Sequence, residues 1–389
     1  MNNSWLPSPS SHTENRQPML LSAACLCVVL AGMRMAAGVL VPIAYGFFFA
    51  VLTYPILRWL VRRRLPFAAA LGVTLVVNLG ALAGIVFLAA RLLMSFNKDL
   101  PRYLRGVQRY MTDFAAWLQD NGVTEAQATI DSLFDWNKVI GYAAQQDVVT
   151  RVGSLLGSTF GTVAAFLAGL VMIIILMMFM LMEAQGLDRR LDAIRQCGGP
   201  DFSGLLRSAG DIQKFLGIKT LISLLTGALA GVWCWFFDLQ YPLLWAILAF
   251  VFNYIPAVGS SVASIPAIVE ALVQHGTTGA LGVAIGYGLL NFSLDNFVQP
   301  QLLGNRFGIS PLVVVLSVIF WGWLWGPLGM FMAVPLTMVI KVLLDHNETF
   351  RWIAVAMTRA KVAGREVDLL QPEEEMGTGA STEPPERNA

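Results

Sequence analysis

Four side chains able to hold a solute lie close together in an otherwise apolar part of the chain: Asn291, Asp295, Asn296 and Gln299. Asp295 is the lone carboxylate of a hydrophobic helix expected over 278–297. An acid in lipid is expensive and by default faces a pathway or a partner, although near a helix end it can also reach headgroup water. Asn291 and Asp295 are four residues apart and share a helix face, and Asn296 and Gln299 extend the polar surface along an adjoining stripe. A second set of groups surrounds Asn253, Pro256 and Gly259. Proline withdraws an amide donor and strains the preceding turn, so nearby carbonyls lose their helical partners. Those carbonyls and the Asn253 side chain can coordinate a polar solute or an ion; the plain alternative is a kink satisfied by a neighbouring serine. Gly326, Pro327 and Gly329 allow the same reasoning. The chemistry on offer is reversible binding, not bond making.

Two interrupted hydrophobic segments, 241–272 and 310–344, must position these groups. Each is too long for one upright span of about 20 residues. Each is therefore either a long kinked helix or a hairpin that enters and leaves on one side. Backbone can leave the helix at membrane depth only where protein or a wet cavity receives its polar groups. Paired interruptions of this kind point to a transport site. The rest of the chain supports a membrane protein: 56% of residues are hydrophobic, 13% are charged, and mean hydropathy is +0.63. Soluble domains carry about a quarter charged residues. Apolar runs predict further helices near 19–40, 42–60, 67–94, 153–182 and 216–237. The fold class is all-α: a polytopic membrane protein of about eight segments, two of them broken or re-entrant. The expected division is a polar tail over 1–18, a transporter domain over 19–345 with a helical insert at 95–150, and a tail over 346–389.

Arginines set the expected orientation. Arg58, Arg62, Arg63 and Arg64 follow the second helix, and Arg189, Arg190 and Arg195 follow the fourth. Short arginine-rich loops belong in the cytoplasm, which places both termini inside and the 95–150 insert outside. Within the insert, Leu100, Leu104, Val107, Met111, Phe114 and Leu118 alternate spacings of four and three. This is a coiled-coil seam. It predicts either a helix packed on its own domain or a contact in a ring-shaped homo-oligomer. Trp321, Trp323 and Trp325 flank the second break and suit the membrane interface. Arg34, Glu183 and Lys219 are expected near helix ends, as interfacial charges.

Several classes drop out. A net charge of +1 without a basic face gives no nucleic-acid partner. The chain has no Walker-type loop, no nucleophile elbow and no His/Asp/Glu metal cluster, so no enzymatic activity, cofactor or metal is expected. The four cysteines have neither zinc nor thioredoxin spacing and are read as free thiols. The acidic, Pro- and Gly-containing stretch from about 371 reads as disordered.

The stretches "FLGIKTLISLLTG", "LAFVFNYIPAVGSSVASIPAIVEAL" and "QPQLLGNRFGISPLVVVLSVIFWGWLWGPLGMFMAVPLTMVIKVLL" resemble the autoinducer-2 exporter family of bacterial membrane proteins. The resemblance covers roughly 20–345. It implies a multi-pass protein of the bacterial inner membrane with cytoplasmic termini and gradient-linked export of small molecules. It also implies a homo-oligomer, with a pentamer as the candidate. Asn253, Pro256, Gly259, Pro266, Asn296, Pro300, Gly304, Pro311, Gly326, Gly329 and Pro335 occupy motif positions. Ala257 stands where close relatives often have Asn, and Gln299 where they often have Glu. The latter departure weakens ion coupling at that position. The leading reading is export of a small polar organic molecule, with autoinducer-2 as candidate. Sodium or lithium exchange for protons is the alternative, and a membrane scaffold without transport is the third.

Overall fold

The computed structural model describes residues 16–121, 159–198, 203–256, 258–303, 309–345 and 350–358. The polar N-terminal stretch, the second half of the 95–150 insert and the acidic C-terminal stretch lie outside these residues. The described residues are helical apart from turns and one isolated bridge between Ile309 and Thr358.

Helices α1 (Arg16–Met35) and α2 (Ala37–Arg62) meet at Ala36, and α3 runs from Phe67 to Asp120. The expected break between the first two helices was near 41; it falls five residues earlier. Helix α3 continues without interruption from its apolar first half into the insert, so the apolar run 67–94 and the coiled-coil seam share one rod. Helices α4 (Thr159–Ala184) and α5 (Leu187–Gln196) follow, joined at their corner by a Glu183–Arg190 ion pair. Helix α6 spans Ser203–Phe236, beginning 13 residues before its expected start.

Helix α6 is the axis of the remaining fold. Two small-residue pairs let its neighbours approach closely, the device by which helices associate where burial of apolar surface gives no drive. Gly227 and Gly231 face α7 (Pro242–Phe252), and a Cβ at either would fall 2.7 Å from an atom of Ala246. Gly282 and Gly286 in α8 (Gly259–Ser293) receive the rings of Phe237 and Trp233. These contacts fix α7 and the far part of α8 antiparallel to α6.

Both interrupted segments turn back on themselves. After α7 the chain leaves the helix at Asn253 and returns from Gly259 as the first arm of α8. The base of this hairpin closes on Glu270, which accepts hydrogen bonds from Gln240 N at 2.6 Å and Tyr241 N at 3.2 Å. Tyr241 precedes the helix-initiating Pro242 and has no side-chain cap of its own. Glu270 therefore supplies the acceptor that the N-terminus of α7 lacks. The chain reverses again at Gly276 (φ 73°, ψ −165°), and the second arm of α8 runs back along α6. It passes through a π-helical turn (Leu294–Val298) and a short α9 (Gln299–Leu303).

Helix α10 (Pro311–Asp345) has its own reversal at Gly326 (φ 66°, ψ −153°). Trp321 Nε1 donates to Thr337 Oγ1 at 3.1 Å. Residues 16 apart in a straight helix would be about 24 Å apart. At both reversals the first glycine supplies a backbone conformation that side chains rarely adopt. A glycine three residues later, Gly279 or Gly329, lets the returning arm lie against a carbonyl eight residues back, Ala271 O or Trp321 O. The two reversals thus share the pattern Gly276-x-x-Gly279 and Gly326-x-x-Gly329, while Pro266 and Pro335 lie within helical arms.

The hairpins enter from opposite ends of the bundle. The base of the first, at Gln240, Glu270 and Gln274, sits beside Asp99 and Tyr103 of α3. The base of the second follows α9, and Ser310 N bonds Met357 O beside α11 (Arg351–Ala356). Ile255 of the first tip packs into the core of the second hairpin, with Val318, Trp321, Leu324 and Ala333. Among the described residues five helices are long and apolar enough to cross a membrane, or six with the bent α4–α5 pair, and Ala24–Met35 and Pro242–Phe252 are shorter apolar helices.

Candidate functional site

The buried face of α6 changes character partway along. Ile212 and Leu216 are apolar, Lys219, Ser223 and Thr226 follow at spacings of three, four and three, and Ala230 and Cys234 restore an apolar surface. Lys219 is the seventeenth residue of a 34-residue helix and only 8% exposed. It cannot snorkel to an interface as the sequence reading expected, because the helix begins well before it. Its Nζ donates to Gln299 Oε1 at 3.3 Å, and it lies within electrostatic range of Asp295 without reaching ion-pair contact.

The first hairpin tip lies at the same level. Asn253, 5% exposed, donates through Nδ2 to Ser223 Oγ at 3.0 Å. The Tyr254 hydroxyl donates to Thr220 Oγ1 at 2.8 Å. Tyr254 also meets Phe48 of α2 edge-on and packs with the core residues Met332, Val334 and Met338 of the second hairpin. The π-helical turn carries Asp295. Such a turn widens the backbone ladder and commonly occurs at functional sites. One opposite-charge pair, two amides and several hydroxyls thus gather where α6, the first tip and the second arm of α8 converge.

The residues singled out in the sequence divide between this cluster and its surroundings. Asn253, Asp295 and Gln299 meet around α6. Asn291 lies one turn before Asp295 and is half-buried. Asn296 is exposed and donates to Phe292 O of its own helix, away from the cluster. Pro256 shapes the first tip, where Val258 N bonds its carbonyl. Gly259 starts the return arm so tightly that a Cβ would meet Phe252 O at 1.8 Å. Gly326, Pro327 and Gly329 form the second tip, which packs against α1, α2 and the first tip and not into the polar cluster. There Trp325 Nε1 donates to Met33 O, and Tyr45 OH donates to Leu328 O.

The three tryptophans separate by role. Trp321 is buried inside the hairpin, Trp325 ties it to α1, and exposed Trp323 lies under the Arg34 guanidinium at 5.2 Å. No group of three or more potential metal ligands occurs among the described residues.

The model of the AI-2E transporter family matches residues 23–348. The chain belongs to the AI-2E transporter family. As a member it is a multi-pass membrane protein of a bacterial transporter family, placed in the inner membrane, and its role is membrane transport. It is 29% identical over 346 residues to the AI-2 transport protein TqsA of Escherichia coli K12, covering 89% of this chain and 97% of that protein. A putative transport protein of Haemophilus influenzae is 31% identical over 339 residues, covering 86% and 94%. The putative transport protein YhhT of Escherichia coli K12 is 28% identical over 339 residues, covering 87% and 93%.

Two features of this AI-2E transporter escaped the sequence reading. Lys219, Ser223 and Thr226 carry a legible signal, polar residues at i, i+4 and i+7 on one helix face. Glu270 is fully buried and also accepts from Trp245 Nε1 and Gln274 Nε2. An acid in an apolar run is a legible signal, but Glu270 was not singled out, and two of its partners, Gln240 and Tyr241, come from a loop some 30 residues earlier. Its neighbours Tyr103, Gln240 and Asp99 form a hydrogen-bonded collar that binds α3 to the base of the first hairpin.

Proposed function

We propose that this chain exports a small polar organic solute through the cluster around Lys219 and Asp295, with autoinducer-2 as the candidate cargo. The observation that carries this reading is the meeting of two half-crossing hairpins, inserted from opposite ends, beside a polar cluster whose Lys219 and Asn253 are buried and whose Asp295 is exposed. Broken helices at mid-depth present backbone and side-chain polar groups to a solute while keeping them away from lipid. Asn253 and Gln299 supply amides, Tyr254, Thr220 and Ser223 supply hydroxyls, and Asp295 and Lys219 supply an acceptor and a donor. Movement of one hairpin past the other would expose the cluster to alternate sides of the membrane. TqsA is named an AI-2 transport protein, which supports autoinducer-2 as the first solute to try.

The cytoplasmic placement of both termini follows from the arginine pattern. A homo-oligomer, with a pentamer as candidate, would use the α3 seam from Leu100 to Leu118. Five of its six residues, Leu100, Leu104, Val107, Met111 and Leu118, remain half-buried in the isolated chain, and Phe114 is exposed.

Proteoliposomes loaded with autoinducer-2 test the reading. Efflux should exceed that of protein-free vesicles and fall at least tenfold in Asp295→Asn and Asn253→Ala. Efflux indifferent to both substitutions would remove the cluster from the pathway. Replacement of Asp295 also addresses exchange of sodium or lithium for protons: loss of pH-dependent sodium exchange, with organic efflux intact, would favour the antiporter.

A further inference from the structure

Helix α3 divides its surface three ways. Asp99, Tyr103 and Gly106 face the base of the first hairpin: Tyr103 OH donates to Gln240 and accepts from Gln274, and a Cβ on Gly106 would meet Val273 at 2.6 Å. The apolar seam from Leu100 to Leu118 runs along one flank of that face. The other flank carries Arg91, Lys98, Arg102, Arg105 and Arg109, whose spacings of seven, four, three and four put them on one stripe. All five are exposed, and none forms an ion pair with another described residue.

Toward the start of the helix the same stripe is apolar. Val73, Val77, Gly80, Gly84 and Phe87 lead to Arg91 at spacings of four, three, four, three and four, and every one is exposed. A Cβ on Gly80 or Gly84 would meet nothing within 4 Å, so the two glycines leave a shallow furrow between Val77 and Phe87. From Phe67 to Arg91 is 24 residues, or roughly 36 Å, so the stripe turns basic where α3 leaves a hydrocarbon core about 30 Å thick. Packing sets the same level independently. Phe96 of α3 meets Tyr241 of the loop that closes α6, and the last turn of α6 bears the exposed Trp235 and Phe236. Exposed aromatics at helix ends mark the membrane interface. In the orientation proposed above this basic stripe is external, where the positive-inside bias supplies no reason for it.

We propose that this face of α3 is a binding site for an anionic phospholipid, with an acyl chain along the Gly80–Gly84 furrow and the headgroup phosphate between Arg91 and Lys98. The two basic groups stand two turns apart, roughly 10 Å along the axis, and their long side chains reach one phosphate from either side. Arg102, Arg105 and Arg109 prolong the positive field past the headgroups and draw the same lipids in. The furrow decides for a lipid over a free phosphate, because a soluble anion makes no use of an apolar stripe beneath its charge. A lipid held there fixes the height of the rod that grips the first hairpin.

The test titrates purified full-length protein in detergent with dioleoylphosphatidylglycerol or dioleoylphosphatidylcholine and counts bound lipid by native mass spectrometry. Wild type should hold a phosphatidylglycerol on each chain in preference to phosphatidylcholine. Arg91→Gln with Lys98→Gln should weaken that lipid by roughly tenfold or more and leave phosphatidylcholine unchanged. Arg91→Lys with Lys98→Arg keeps both charges and should bind as wild type does. Gly84→Leu fills the furrow and should weaken phosphatidylglycerol with every charge in place. Arg58→Gln with Arg62→Gln, at the opposite end of the bundle, should retain the lipid. A preference undiminished in Arg91→Gln with Lys98→Gln would overturn the proposal, as would equal loss in the Arg58 and Arg62 control. Displacement of the lipid by inorganic phosphate at constant ionic strength, or indifference to Gly84→Leu, would assign the stripe to a soluble anion and overturn it too.

Discussion

Replacing Gly329 with alanine probes the second hairpin at its tightest point. An ideal Cβ there lies 2.0 Å from Trp321 O and 3.1 Å from Trp325 Cβ. Real Cβ contacts essentially never fall below 3.0 Å, so the arms must separate by at least 1.0 Å, the difference between 3.0 and 2.0. The atom met first is backbone and cannot rotate aside. Such overpacking costs about 1–3 kcal/mol. Alanine returns up to about 1 kcal/mol as the better helix former. Net destabilisation of about 1–2 kcal/mol follows for Gly329→Ala. Gly288 is the matched control, because a Cβ there meets nothing within 4 Å. Gly288→Ala should be neutral or stabilising by up to about 1 kcal/mol, leaving the variants about 1–3 kcal/mol apart. Thermal unfolding of detergent-solubilised protein, followed by tryptophan fluorescence, reads the difference. The separation should also stretch the Trp321–Thr337 hydrogen bond, so the emission of buried tryptophan should shift to the red in Gly329→Ala alone. Equal midpoints for the two variants would show that the chain does not fold back at Gly326.

Glu270→Ala should be the most damaging single change at the base of the first hairpin, since it strands four donors; a loss of about 3–5 kcal/mol is expected in the same unfolding assay. Glu270→Gln should recover part of this, because one amide oxygen still accepts. Thr337→Val leaves the indole of Trp321 without its acceptor and should cost about 1–3 kcal/mol, with no change in oligomeric size. Joint replacement of Leu104 and Met111 by glutamate should lower the mass of the detergent-solubilised complex in light scattering, while the unfolding midpoint stays near wild type. An unchanged mass would remove the seam from any subunit contact.

The membrane class, the helical architecture and the two interruptions could be read from the sequence because they depend on local properties. A run of apolar residues has the same length however it packs, and glycine and proline act on their own backbone. Whether each interruption kinks or reverses was not legible, since that depends on contacts such as Trp321 with Thr337 across 16 residues. The second reversal of the first region, at Gly276, fell between the expected segments and had no proline to mark it. Asp295 and Gln299 stood out as polar groups in apolar surroundings. Their partner Lys219 did not, because starting the helix at 216 rather than 203 moved the lysine to a helix end, where charge is inexpensive. A single misplaced boundary thus concealed half of the charge pair. Glu270 was concealed differently: its acceptor role answers a deficit at Gln240 and Tyr241 that exists only once α7 begins at Pro242.

Helix α3 also has a mechanical consequence. Its collar contacts, Asp99 and Tyr103, grip the hairpin base near the middle of the rod, while the rod itself runs on to Asp120. From Tyr103 to that end is 17 residues, or roughly 26 Å. Pivoting about the collar by 5° would carry the end through roughly 2 Å, an arc comparable to a side-chain diameter. A small rocking of the hairpin would therefore arrive beyond the bilayer already magnified, and a spectroscopic label at exposed Trp117 would register strokes too slight to see at Asn253.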